Sequence, residues 1–585
     1  MVEFVGIDPA GARRLITAMG DAAQRGRVLR PSLAASIAEA GINWPAGPGA
    51  EVLDNVGRFL DEAQRDLTWR TQTIERVEDT APKSGLKTAE FAFGDATTSQ
   101  QAGALAGKQT LAAWHDYLKD PSVQNWAMVQ AALREGQGKT IDAAYSTGLL
   151  TTLGSATFGA IFAAVSSRNQ NDPRGYSPGN LKKAGKDLKP LAEAFASADA
   201  AGTLPRGLRD HALGGLPVGD MAALLGLARQ SREFVLAAGA KLLQYSGSRV
   251  SGKDWNIYWL AKALSQDVGA TQRFLVSAEN ATLLLRPEVV NGLEGTDFEQ
   301  LLATALDGAL APGAGDTTLR RDSWLNIIDL YSRRNFWPAL SAPSPVGQIL
   351  ATHISQYFPE LIAVWNQEDD VVDAAAGKEW KGVDSGRIAS FFGGLLQSPG
   401  ALVPLKNGYG KFLWSLDLGK EHPFGDASTE GARQEQRDRF YRKAVTSGAL
   451  ASMLFSGLHA ADLSADETDK IITELLVLPL DILTAGVGGK FINGVVRDTS
   501  FGKALDITQK NPLKDFIEDF FDDTRAGDAS DFFDALVDAQ VSAFNVSRQF
   551  HGNPAIGDSD LGQLRAVFSG QLTPVLKSAL KARGG

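Results

Sequence analysis

The sequence predicts an all-α protein, and three observations carry that prediction. Apolar residues recur at three- and four-residue steps over long stretches. Alternating runs of Val, Ile, Thr and Tyr are nearly absent, as are βαβ patterns. Gly and Pro punctuate the chain at short intervals, as connections between packed helices require. At 585 residues the chain is long enough to bury a large core, and its 44% hydrophobic and 22% charged residues are ordinary globular composition. The expected architecture is an N-terminal antiparallel helical hairpin (1–82), an extended multi-helix body (83–420) and a smaller C-terminal helical module (421–585).

Asp8-Pro9 supplies a capping oxygen and a first-turn proline. Apolar positions then run through Leu15, Met19 and Ala22, pause at Gly26, and resume with Leu29, Leu33 and Ile37. The stretch from Gly41 to Gly49, which contains Trp44-Pro45-Ala46-Gly47, should break the helix. A second amphipathic helix follows, its stripe formed by Val52, Val56, Phe59, Ala63, Leu67, Ile74 and Val77. An apolar seam on such a hairpin needs a partner element.

A hairpin with Trp at its turn, an Ala/Gly-rich composition and no basic-then-apolar Sec signal in MVEFVGIDPAGARRL resembles the WXG-type hairpins that accompany type VII secretion in actinobacteria. The turn reads Trp44-Pro45-Ala46-Gly47 where the family has Trp-x-Gly, and no tyrosine is followed four positions on by Asp or Glu. The phrases KPLAEAFASADAAGTLP, GDMAALLGLARQSREFVLAAGAKLL and SQDVGATQRFLVSAENATLLL resemble the body of an uncharacterised actinobacterial family of large helical proteins that follow WXG-like hairpins. The resemblance implies a helical fold and a secretion context, and no chemistry.

The body is expected to continue helix after helix, with segments over Leu181–Asp199, Asp220–Leu243 and Asp254–Leu264. All eleven Trp lie at or before Trp414, and the polar segment from Glu421 to Gln436 suggests a boundary.

Composition narrows the chemistry. Zero Cys removes thiolate nucleophiles, disulfides and sulfur-bound zinc. A formal charge of -10, from 58 Lys and Arg against 68 Asp and Glu, argues against a nucleic-acid footprint over the whole molecule. Gly136-Gln137-Gly138-Lys139-Thr140 ends like a P-loop, but position 133 is Leu where that motif needs Gly, so a glycine turn with Thr140 as a helix cap is favoured. No two of the six His have the spacing of a helical metal pair, and His459 with Asp462 lacks a nucleophile motif. The acids at 368–373 and 515–538 lack EF-hand spacing. No catalytic residue, cofactor site or metal site is therefore predicted. An enzyme would require two or more of His459, Asp462, Glu474, Asp481 and His551 to converge in an open pocket.

The function expected is that of a non-enzymatic interaction protein, exported or envelope-associated without a Sec signal, with a cytoplasmic location as the alternative. Its partner would be helical, a small WXG-type hairpin protein or a second copy. It would be met through Trp44, Val52, Val56, Phe59, Ala63 and Leu67, unless that seam packs on the protein's own body. The rival is a membrane-active toxin or pore component. Residues 143–167 carry no charge, and 145–167 or the hairpin 444–489 would insert, through Gly148, Gly154, Phe158, Gly159, Phe162, Leu454 and Leu478. The many Gly, Ser and Thr of the first segment favour a core helix instead.

Overall fold

The computed structural model describes residues 3–39, 47–76, 87–91, 93–169, 175–247, 254–293, 296–341, 344–366, 380 and 383–461, with scattered positions from 463 to 570. The fold is all-α, and the described residues form two compact units, one built mainly from 1–249 and 254–266, the other mainly from 267–585. The boundary expected near 421 falls inside the second unit.

Unit 1 opens with α1 (Pro9–Glu39) and α2 (Gly47–Arg76), the expected hairpin. Asp8 begins α1 as anticipated, its carboxylate accepting from the N–H groups of Ala10 and Gly11 at 3.1 and 3.0 Å. The pause at Gly26 does not interrupt the helix, and neither does Pro31. One short strand pair accompanies the helices. Strands β1 (Glu3–Ile7) and β2 (Lys87–Phe91) pair antiparallel, Glu3 opposite Phe91 and Ile7 opposite Lys87. Five-residue strands whose partners lie some eighty residues apart leave too short a pattern to read along the chain.

Then come α3 (Ala96–Lys119), α4 (Val123–Glu135), α5 (Ala143–Asn169), α6 (Pro178–Ala200), α7 (Leu208–Gly214), α8 (Val218–Leu227), α9 (Arg232–Gly247) and α10 (Trp255–Leu264). α5 and α6 form the centre. Gly103 and Gly107 of α3 face α5, where a Cβ at Gly107 would lie 2.7 Å from Thr152 Cβ and 2.8 Å from the Leu149 carbonyl. Gly148 of α5 meets the Gln100 carbonyl of α3 in the same way, so the two backbones cross almost in contact. Gly154, at φ +72°, kinks α5. Beyond the kink Phe158, Ile161, Phe162 and Val165 are fully buried. Phe158 packs on Phe162 and Phe195, and Phe195 on Phe234, with ring centroids 4.9–5.9 Å apart.

The expected helix over Asp220–Leu243 is two helices, α8 and α9, parted at Ala228 to Ser231. Ser231 caps α9 through Phe234 N and also bonds Asp199, so a polar junction interrupts what reads as one apolar period. Asp254 does cap α10, accepting from Asn256 N at 2.9 Å.

Unit 2 contains α11 (Val268–Val276), α12 (Ala278–Leu285), α13 (Pro287–Val290), α14 (Phe298–Leu310), α15 (Thr317–Tyr331), α16 (Pro338–Ser341), α17 (Pro345–Ile354), α18 (Phe358–Asn366), α19 (Ser385–Leu396), α20 (Leu402–Ser415) and α21 (Glu430–Ala461). α21 is charged in its first half and apolar in its second. The apolar half crosses α19 where Gly393 and Gly457 face each other, a Cβ at Gly393 lying 2.8 Å from the Gly457 carbonyl. The other half holds Phe440, which joins Ala444, Val541 and Phe544 in a second core cluster. Glu421, expected to mark a boundary, pairs with Lys443 at 2.7 Å and Arg439 at 3.4 Å and so fastens the polar segment to α21.

Candidate interaction surface

The hairpin is the feature whose chemistry is least absorbed by the fold. Its register is fixed by the ion pair Arg27–Asp61 at 2.5 Å and by the Gln64 side chain, which fills the space above Gly20. These contacts put Val28 and Leu29 of α1 at the level of Val56 and Phe59 of α2. All four are open to solvent: Val28 and Leu29 are each 61% exposed, Val56 49% and Phe59 67%. Isolated exposed apolar residues are unremarkable, but four large ones at one level of a hairpin make an apolar surface that is left uncovered among the described residues.

Further along α2 the same stripe changes character. Ala63 and Leu67 are half-buried and Ile74 is buried, and so is Trp69, which lies beside the stripe. Trp69 Nε1 donates to Asp142 Oδ1 at 2.9 Å. Asp142 also caps α5, accepting from the N–H groups of Ala144 at 2.9 Å and Tyr145 at 3.1 Å. Arg70 lies over the Trp69 ring and pairs with Asp66 at 2.9 Å. The stripe is thus divided: its C-terminal end docks on the protein's own body and its middle does not. Of the remaining expected contacts, Trp44 lies outside the described residues, and Val52 falls in α2 with its side chain outside them.

The helix cap assigned to Thr140 belongs to Asp142. Thr140 is fully buried and donates to Glu193 Oε2 at 2.9 Å, while its carbonyl accepts from Ser146 and Ser197. Its hydroxyl is occupied, and Gly138 at φ +79° makes a turn pinned to α6, as the glycine-turn reading expects. Gln130 and Arg134 hold Asp187 of α6 at 2.6 and 2.7 Å. Burial pushes the Tyr145 phenol up to about 12.

The residues of the membrane alternative occupy packed positions. Gly148 and Gly154 act as described above, Phe158 and Phe162 are fully buried, Gly159 abuts His211 Nε2, and Leu454 is 1% exposed. Leu478 lies outside the described residues, as do Asp462, Glu474, Asp481 and His551 of the enzyme alternative; the side chain of His459 does too. Among the described residues no three His, Asp or Glu gather as metal ligands. His353 Nε2 meets Asp307 Oδ1 at 2.7 Å, a pairing of α17 with α14 that sequence spacing could not show. An open groove of about 400 Å³, lined by Ser355, Gln356, Gly408, Lys411 and Phe412, was equally unreadable from the chain.

Sequence reasoning missed Val28 as part of the surface because it fell outside the α1 stripe. It missed Asp142 because the Trp69 contact spans 73 residues. No protein-family model and no curated protein matches this chain.

Proposed function

We propose that the protein is a non-enzymatic, exported or envelope-associated component of a type VII-like secretion locus, and that it works by helix–helix recognition through its N-terminal hairpin. The observation that carries this reading is the exposed level of Val28, Leu29, Val56 and Phe59 on a hairpin whose other end is anchored by Trp69 and Ile74. Completing the burial of four such side chains contributes at most roughly 1.5–3 kcal/mol each. Association costs about 4–15 kcal/mol, so the partner has to run along the hairpin as a helix and make further contacts. A small helical hairpin protein fits that requirement, and the resemblance to WXG-type hairpins supplies the secretion context. Immunoblots of medium, envelope and cytosol from the native host, with and without its type VII secretion ATPase, test the export arm. Protein outside the cytosol only when the ATPase is present supports it; cytosolic protein in both strains overturns it.

The membrane reading retains one favourable observation: by length and composition α5 could cross a bilayer. Insertion would require Phe158, Ile161 and Phe162 to leave their packing, which supports assigning α5 to the core. Dye release from liposomes by the purified chain, abolished by Gly154→Lys or Leu454→Lys, is the outcome that would favour insertion.

A further inference from the structure

One buried acid of unit 1 has a carboxylate oxygen with no hydrogen-bond partner. Asp220, in the first turn of α8, is fully buried. The Tyr176 hydroxyl reaches its Oδ1 at 3.4 Å, Ser166 near the C-terminal end of α5 also acts on the carboxyl, and Oδ2 has no hydrogen-bond partner. Its buried neighbours on the chain are handled differently. Asp187 is met by Arg134, Asp199 by Arg209 and Ser231, and Asp142 by an indole and two backbone N–H groups.

Among the described residues no cation compensates Asp220, although four helices pack on α8. On α5, Arg168 lies over the Trp126 ring. On α6, Lys182, Lys183 and Lys186 are exposed, and Lys189 pairs with Glu193. On α9, Glu233 and Lys241 are exposed, and Arg232 is not among the groups acting on Asp220. On α10, Asp254 caps its own helix, and Lys262 donates to the Gly226 carbonyl at the far end of α8. Tyr176, which precedes α6, is the titratable group that faces the carboxyl.

We propose that Asp220 is a proton-operated latch: as the neutral acid it sits without penalty in the buried junction of α8 with the C-terminal end of α5 and the Tyr176 segment, and as the carboxylate its buried charge, which the Ser166 and Tyr176 hydroxyls offset only in part, loosens that junction. A lone buried charge is costly, whereas a neutral carboxyl can donate as well as accept. Burial raises Asp220 from 3.8 to about 6, with the Ser166 and Tyr176 hydroxyls partly opposing the rise. The folded chain therefore holds this proton more tightly than the unfolded chain. The stabilisation is fully present below the unfolded value and is lost as pH rises through about 6. Unit 1 is tightest in mild acid and looser at neutral pH.

Amide hydrogen exchange of the full chain at about pH 5 and about pH 7.5, corrected for intrinsic rates, reads this directly. Peptides covering 161–166, 175–181 and 218–225 should open roughly tenfold or more less often at the lower pH, while peptides of α3 change little. Asp220→Asn should hold those peptides at the slow level at both pH values. Tyr176→Phe, which removes a hydroxyl that favours the ionised form, should move the transition to higher pH. Equal corrected exchange at both pH values in the wild type overturns the latch, and that arm needs no variant. Unchanged pH dependence in folded Asp220→Asn overturns it as well.

Discussion

Phe59 and Trp69 stand ten residues apart on α2, and their surroundings separate recognition from stability. Phe59 is two-thirds exposed, so Phe59→Glu should leave the melting behaviour of the isolated chain nearly unchanged, within about 0.5 kcal/mol, and remove partner binding. Circular dichroism melts beside a binding assay check both halves. Trp69 is buried and gives its indole N–H to Asp142. Trp69→Phe should cost about 1–3 kcal/mol in denaturant unfolding, because Asp142 loses a donor in a buried setting. Phe59 lies in the apolar stripe and Trp69 beside it, and nothing local to α2 tells that one is open and the other covered. The indole of Trp69 is held by Asp142, far along the chain, and this is why the seam was legible in the sequence and the docking of Trp69 beside it was not.

At the scale of elements, local chemistry made some boundaries readable. Asp8-Pro9 and Asp254 announced α1 and α10 because a cap acts on the three residues after it. Elements set by distant contacts were not readable. The β1–β2 ribbon pairs residues from opposite sides of the hairpin, and the break between α8 and α9 depends on Ser231 bonding Asp199 of α6. The apolar reach of α5 was plain, and its Gly content pointed to close packing, but the facing glycines of α3 show what that content serves. Gly148→Val should destabilise unit 1 by at least about 1–3 kcal/mol, since its side chain would meet the α3 backbone rather than a movable neighbour. Thermal unfolding checks this. Gly26→Ala, at a position with open space, should be neutral or stabilising by up to about 1 kcal/mol.

At the scale of the molecule, fold class followed from periodicity and the scarcity of strand patterns, while the two compact units are set by packing that composition does not record. Trp runs out at Trp414, yet α21 beyond it carries the Gly457 crossing onto α19 within one compact unit. Packing partners rather than residue frequencies draw such borders. The proposed role depends on the hairpin keeping part of its seam uncovered while the body keeps its long apolar helices inside. The measurement that tests this most directly is photocrosslinking in the native host, with a photoreactive phenylalanine analogue placed at Phe59, at Val28 and, as a control exposed to a similar degree, at Val403 of α20. The account predicts one adduct of defined mass shared by positions 59 and 28, absent from 403 and lost when Val56 is replaced by Glu. No adduct at 59 and 28, or the same adducts at all three positions, would contradict it.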